Sequence, residues 1–391
     1  MNYILFDGPN RDNLLPFTYT RPVADIRVGI LTIREKWESY LDYTTTTVTE
    51  DYLSEKFPMV EMDINIMINA SYLPNSEIIA IVKELKVNQA IFKDEDVIAF
   101  CIEEGAEHDD FSKFEATEFE NDIIKIEHTW DIFSKNGEAI NDDFELITKN
   151  KKSEPIPTNV STVNPERIFI EKGAKVNFSS LNASSGPIYI GTNAEVMEGS
   201  LVRGPFALCS NSVLKLGAKI YGPTTIGPHS KVGGEVNNSV IFGYSNKGHD
   251  GFLGNSVLGE WCNLGADTNN SNLKNNYAEV RLWDYNSEGF ARTGLQFCGL
   301  MMGDHSKCGI NTMFNTGTVV GVSSNIFGSG FPRNFVPSFS WGGSKGFVTY
   351  KTSKAFEVSE VVMKRRGIMF SEEDKKILDH VFEITKKFRR D

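Results

Sequence analysis

The stretch IGTNAEVMEGSLVRGPFALCSNSVLKLGAKIYGPTTIGPHSKV, residues 190–232, places one aliphatic side chain at every sixth position: Ile190, Val196, Val202, Leu208, Leu214, Ile220, Ile226 and Val232. Four positions after each of the first seven stands a second series, Ala194, Ser200, Phe206, Ser212, Ala218, Thr224 and Ser230, small in all but one case. A helix spaces its apolar residues by three and four and a half-buried strand by two, so a period of six fits neither. It fits a solenoid coil. A triangular prism satisfies both series. Each coil has three short strands, one aliphatic side chain per strand points to the axis, and the small residues line the corners.

Working outward, Ile170 and Val176, with Ala174 and Ser180 four positions on, already fit a rung, and a register shift separates them from Ile190. A second shift follows Gly233-Gly234, after which Phe252, Leu258 and Leu264, with Ser256, Cys262 and Thr268, resume the two series. From about 269 to 296 neither series is kept. The pattern returns at Met302, Cys308, Phe314, Val320 and Ile326, with Ser306, Thr312, Thr318 and Ser324 at the corners. The prism is thus expected over 166–345, with a loop excursion of the kind that gathers on a solenoid's binding face.

Before the prism, residues 1–150 alternate strand and helix signals and predict an α/β domain with a largely parallel sheet. YILF, TTTTV and INIMIN read as strands, and AIF with VIAFCI as a hairpin across KDED. Ile26, Ile30, Ile33, Trp37 and Leu41 recur at helical spacing and predict a helix to about Tyr40, and SEIIAIVKEL predicts another. Glu103 to Asp122 is acidic and aperiodic, which predicts an exposed loop, while Trp130, Phe133 and Phe144 read as packing anchors. The proline-bearing segment 151–165 reads as a linker. After the prism, 346–391 reads as a helical tail in which Ser371 to Asp374 resembles a capping box before the stripe Ile377, Leu378, Val381, Ile384 and Phe388. The basic groups at 364–366 and near the end read as a solvated face and as dipole partners.

Composition narrows the class. Net charge is −12, and it is uneven: residues 1–150 carry 31 acidic and 13 basic side chains, a net −18, which leaves +6 for the remainder. The acidic part excludes electrostatic binding of nucleic acid there, and the mildly basic part suits a phosphorylated small molecule. Five cysteines without a CxxC pair argue against a disulfide framework or a thiolate zinc site. The first residues lack a signal pattern and no apolar run is long enough to span a membrane, so a soluble, cytoplasmic protein without a membrane partner is expected.

The segment GHDGFLGNSVLGEWCNLGADTNN, residues 248–270, is similar to the acetyltransferase half of GlmU-type bifunctional enzymes, and GDHSKCGIN, 303–311, and PFTYTRPVADIRVGILTIREKW, 16–37, extend the resemblance to a GlmU-like family over nearly the whole chain. The resemblance implies a left-handed parallel β-helix of hexapeptide repeats behind a sugar nucleotidyltransferase-like domain. It implies acetyl-CoA as co-substrate, a hexosamine 1-phosphate such as glucosamine 1-phosphate as acceptor, and a homotrimer with sites between chains. His249 corresponds to the general base, a task that suits imidazole. Asn263 and Asn272 match sugar-phosphate and acetyl-group ligands, and Lys247 and Arg281 are the substitutes at hand for missing phosphate-binding lysines. The family tyrosine three positions after the histidine is Phe252 here, and an asparagine-tyrosine pair reads Asn272-Leu273. His229 and His305 occupy similar turn positions and read as solvated turn histidines.

For the N-terminal domain the resemblance implies uridylyl transfer from UTP with Mg²⁺, to give UDP-N-acetylglucosamine. Gly8, Arg11, Thr18 and Arg21 are the candidates for holding the triphosphate, although the glycine-rich loop is absent and INASYLP, 68–74, lacks the metal-binding aspartate; no residue is assigned to a metal. Three readings compete with this one: an acyltransferase for another sugar nucleotide with an inactive N-terminal domain, a zinc-dependent prism enzyme of the three-histidine kind, and a non-catalytic sugar-nucleotide-binding scaffold.

Overall fold

The computed structural model describes residues 2–106 and 110–389. The N-terminal domain holds a six-stranded sheet of β1 (Asn2–Phe6), β2 (Thr46–Val48), β3 (Ile64–Asn69), β4 (Gln89–Lys93), β5 (Asp96–Glu103) and β6 (Glu115–Glu118) in the order β2-β1-β3-β5-β4-β6. The expected largely parallel sheet is corrected to a mixed one: β1 is parallel to β2 and β3, but β5 runs antiparallel to both β3 and β4, because the turn at Lys93–Asp96 makes a hairpin. The acidic stretch expected as a loop contributes β6, an exposed edge strand parallel to β4; its residues 107–109 lie outside the described residues.

Helices flank this sheet: α1 (Ile33–Leu41), α2 (Asp51–Ser54), α3 (Ser76–Val82), α4 (Asp131–Ser134) and α5 (Asn136–Thr148). α1 starts seven residues later than the stripe from Ile26 predicted. Thr32 accepts from the Glu35 N–H while the Glu35 side chain returns to the Thr32 N–H, a capping box that sets the first turn. Ile26 and Ile30 are buried all the same, on an extended segment. Buried apolar side chains at helical spacing do not require a helix when a tertiary contact claims each one.

The C-terminal part is a parallel β-solenoid of about 10 turns that fits a left-handed β-helix. Its nine-stranded face runs from Ile168–Ile170 to Phe335–Val336, and its inward column Ile190, Leu208, Ile226, Ile241, Leu258, Met302, Val320 and Val336 is in register coil upon coil. All eight members of the opening series are buried in one core with this column. Each such side chain contributes about 1.5–3 kcal/mol by leaving water. The small series is buried too, and its hydroxyls are satisfied by the next coil: Ser212 donates to the Gly227 carbonyl at 2.7 Å and Ser230 accepts from the Ser245 N–H at 3.2 Å.

After Gly233-Gly234 the register differs from the expectation. Leu253, not Phe252, is the inward residue, pairing with Val236, and Phe252 points outward. The excursion is also shorter, since Asn269–Asn270 pairs with Met313–Phe314 and keeps its place in the stack. Beyond it, Arg281–Asp284 and Gly289–Arg292 form an antiparallel hairpin.

The three faces of the prism meet different surroundings. On the nine-stranded face the strands are buried on both sides, because the N-terminal domain covers it. Phe169, Ala207 and Cys209 pack on Ile30, Ile140 and Phe144, and Thr225 Oγ1 donates to the Gly29 carbonyl at 2.9 Å. This explains why its strands, such as FAL and LMM, are apolar without alternation. A second face, which includes Asn246–Lys247 and Asn263–Leu264, lies toward the tail helix α6 (Thr352–Lys364), while α7 (Glu372–Ile384) reaches back to Tyr52, Glu55 and Lys56 of the N-terminal domain. The third, from Ser161–Val163 to Phe252–Gly254, is open, with Val163, Leu201 and Tyr221 exposed. The capping box at Ser371 and Asp374 forms as expected, and Ile377, Leu378 and Val381 are buried; Ile384 stays 40% exposed.

Candidate active site

His249 lies at the corner where the chain leaves the helix-side strand Asn246–Lys247 for the open-face strand Phe252–Gly254. It is exposed, and its ring makes no hydrogen bond among the described residues. Its carbonyl is held: Lys247 Nζ donates to it at 2.9 Å and to the Gly233 carbonyl at 2.8 Å. Lys247 therefore does not stand where a phosphate contact was expected. It occupies the inward position opposite Val232, is 2% exposed, and desolvation pushes its ammonium down to about 8. Its chain fills the axis while its head fastens the corner.

Asn272 sits at the far end of the open-face strand from His249, beside the next corner, where its amide donates to Asn255 Oδ1 at 2.8 Å. Gly254 makes this crowding feasible, since an added Cβ would stand 2.5 Å from the Phe252 ring and 2.8 Å from Asn272 Nδ2. The hydroxyl missing at Phe252 is thus missing beside Asn272. Asn263 lies on the helix-side face and lines a cavity of about 350 Å³ together with Lys231, Asn246, Lys307, Arg365 and Arg366. No carboxylate lines it. Burial pushes the Lys307 ammonium down to about 8, and its Nζ bonds only carbonyl oxygens, that of His305 at 2.8 Å and that of Trp261 at 3.5 Å. Arg365 and Arg366, read in the sequence as a solvated face, belong to this cationic pocket; the spacing of the tail gave no sign of the coils it folds onto. Arg281 is on the hairpin and lines a different cleft.

The other two histidines are not free turn residues: both stand in a ring stack, His229 half-buried and His305 enclosed. His229, Tyr244, Trp261 and His305 all hold left-handed backbone at successive coils of one corner, with φ from 53° to 61°, and their rings stack at 4.9, 4.3 and 6.3 Å. Burial lowers the His229 pKa and pushes that of His305 down to about 3, with Lys307 adding to the effect. His305 Nδ1 lies 3.2 Å from Ser359 Oγ of α6. Such a ring stays neutral and is a weak base. No spacing rule flags this column, because its members share only a turn position.

In the N-terminal domain, Gly8 packs so closely that an added Cβ would lie 2.5 Å from Asn69 Oδ1. Arg11 is spent internally on Asp7, Asp12, the Thr18 carbonyl and the Tyr52 hydroxyl, and the buried Thr18 hydroxyl donates to the Arg11 carbonyl. Arg21 pairs with Asp304 of the solenoid, with Glu260 3.5 Å away, so it joins the domains. The surface hollow at Gly8 and Arg11 is also lined by Asp7, Asp12, Glu50 and Asp51, a setting that repels a triphosphate. Of these carboxylates Asp7 already accepts from the Val23 N–H, Thr49 and Arg11.

Fold and site together define an α/β domain laid on a parallel β-solenoid. Residues 3–152 match the family of sugar nucleotidyl transferases. The uncharacterized acetyltransferase YaiX of Escherichia coli O6:K15:H31 is 27% identical over 150 residues, 37% of this chain and 64% of that one. The bifunctional protein GlmU of Methanococcus maripaludis is 26% identical over 211 residues, 51% and 42%, and that of Synechococcus elongatus is 22% identical over 206 residues, 47% and 41%. The chain spans less than two thirds of the length of these curated relatives. A solved structure, Arabidopsis UDP-N-acetylglucosamine acyltransferase, aligns with 55% of this chain and 80% of its own at 13% identity, with a TM-score of 0.21 that bears on neither fold nor function. The matches are thus to a sugar nucleotidyl transferase family over residues 3–152 and, at low identity, to YaiX and GlmU proteins. Among the described residues no helix is long and apolar enough to cross a membrane.

Proposed function

We propose that the solenoid transfers an acetyl group from acetyl-CoA to the amine of a hexosamine 1-phosphate, glucosamine 1-phosphate being the first acceptor to test. The observation that carries this reading is the contrast among the three solenoid histidines. His305 is stacked and desolvated and His229 is half-buried in the same ring stack, whereas His249 stands exposed at a corner held by Lys247. His249 takes the proton of the amine as its nitrogen attacks the thioester carbonyl, and coenzyme A leaves as the thiol. Asn272 lies at the far end of the open-face strand from His249, and Asn263 lies on the helix-side face, where with Lys231, Lys307, Arg365 and Arg366 it lines a pocket without carboxylates that suits a phosphate but does not include His249. In this reading Lys247 positions the base, and Arg281 takes no part.

The N-terminal domain, on the same reading, jackets one face of the prism and does not run uridylyl transfer from the Gly8–Arg11 loop. Its acidic hollow and the internal pairing of Arg11 and Arg21 support this. With that face covered and α6 against the second, the open face with Val163, Leu201 and Tyr221 is the surface left for assembly, and a homotrimer is proposed through it. Sedimentation at micromolar concentration should give three chains; a monomer would contradict it. The activity test is thiol release from acetyl-CoA with glucosamine 1-phosphate, run beside pyrophosphate release from UTP. The reading expects the first and not the second, and no thiol release with any hexosamine phosphate would leave the scaffold reading in its place.

A further inference from the structure

A second cleft, of about 1060 Å³, lies at the far end of the solenoid between the hairpin, the last coils and the end of the described chain. Six basic side chains line it against one carboxylate, Glu288, in a chain whose net charge is −12. Glu288 is already paired with Lys387. Arg281, Arg333 and Lys345 are exposed and have no ion pair or side-chain hydrogen bond among the described residues. Arg281 stands directly across the hairpin from Arg292, and of the two only Arg292 has an acidic partner, Glu279 at 3.8 Å.

The same cleft is aromatic. Trp283 stacks on Phe335 at 4.1 Å and meets Phe290 edge to face at 5.5 Å, while Phe290 itself is 46% exposed. The Trp283 indole N–H is buried without a hydrogen-bond partner among the described residues, which is unfavourable unless something else accepts from it. Unpaired cations beside an exposed ring match a ligand that is both polyanionic and aromatic.

We propose that this cleft binds a nucleotide, with its phosphates on Arg281, Arg333 and Lys345 and its base against Phe290. The volume accepts one, being at the upper end of the range for small-molecule sites. The chemistry is shared by a free nucleoside triphosphate and by the phosphoadenosine half of coenzyme A, and the inference does not depend on the acyl-transfer reading.

The test is calorimetric titration of the full chain with UTP, ATP and coenzyme A, each beside pyrophosphate and uridine as component probes, at low and high salt. Saturable, salt-sensitive binding of a nucleotide is expected, and tighter binding of coenzyme A or of a triphosphate identifies the source. Arg281→Ala and Arg333→Ala should each weaken it at least about tenfold, as loss of a hydrogen bond to a charged group does, and Phe290→Ala should weaken the nucleotide but not pyrophosphate. Arg333→Lys, which keeps the charge without the fork, should fall between. Absence of saturable binding by all three nucleotides, pyrophosphate binding as tight as theirs, or affinity unchanged in both arginine variants would each overturn the proposal.

Discussion

Arg21 shows how one residue's role depends on what the chain brings to it. In the sequence it lies in PFTYTRP, beside candidates for a phosphate loop, and an arginine there invites the reading of a triphosphate ligand. In the fold its guanidinium meets Asp304, which also accepts from Thr20 Oγ1 at 2.7 Å and from the Glu260 N–H at 2.8 Å. Both charged side chains are nearly sequestered, 8% and 4% exposed. Removing one partner of such a pair leaves the other charge uncompensated, so Arg21→Ala should destabilise the protein by about 3–5 kcal/mol. Urea unfolding followed by fluorescence measures this. An unchanged midpoint would show that the pair does not hold the domains together.

At the scale of elements, the docking of α6 on the solenoid corner carries a dependence on pH. His305 is enclosed by Trp261, Ser359 and Phe370, and its charged form is disfavoured first by burial and then by Lys307 and Lys56, with Asp304 and Asp374 acting in the opposite sense. Its pKa is about 3 in the folded chain and about 6.5 in the unfolded one, so between these values the unfolded state binds more protons and stability falls as pH falls. His305→Asn removes the titrating ring and keeps a residue that tolerates the left-handed backbone found there. Between about pH 7 and about pH 5 the urea midpoint should decline less steeply in the variant than in the parent. Equal slopes would show that the ring is solvated. Element prediction failed for a related reason at α1, where apolar spacing matched a helix through Ile26 but the capping box at Thr32 sets its start.

For the molecule as a whole, the prism was legible because its core repeats locally. Ile190 to Val232 state the period within 43 residues, and the first coils are in the predicted register. Legibility ended where one coil lost residues at Gly233-Gly234, which moved Leu253 inward in place of Phe252 and put Lys247 on the axis. Contacts distant in sequence left no periodic trace either. Neither Arg366 beside Asn246 nor the jacket over the nine-stranded face can be read from spacing. His249 was named through resemblance alone; what the fold adds is the contrast with His229 and His305.

The most direct measurement is therefore the rate of acetyl transfer to glucosamine 1-phosphate by His249→Ala, taken beside its melting temperature. A general base contributes typically about 10² to 10⁴ in rate, and an exposed corner ring packs against nothing in the core. Transfer should fall by that factor with the melting temperature unchanged. Transfer at the parental rate, from a variant that folds, would contradict the assignment of the base and with it the site at this corner.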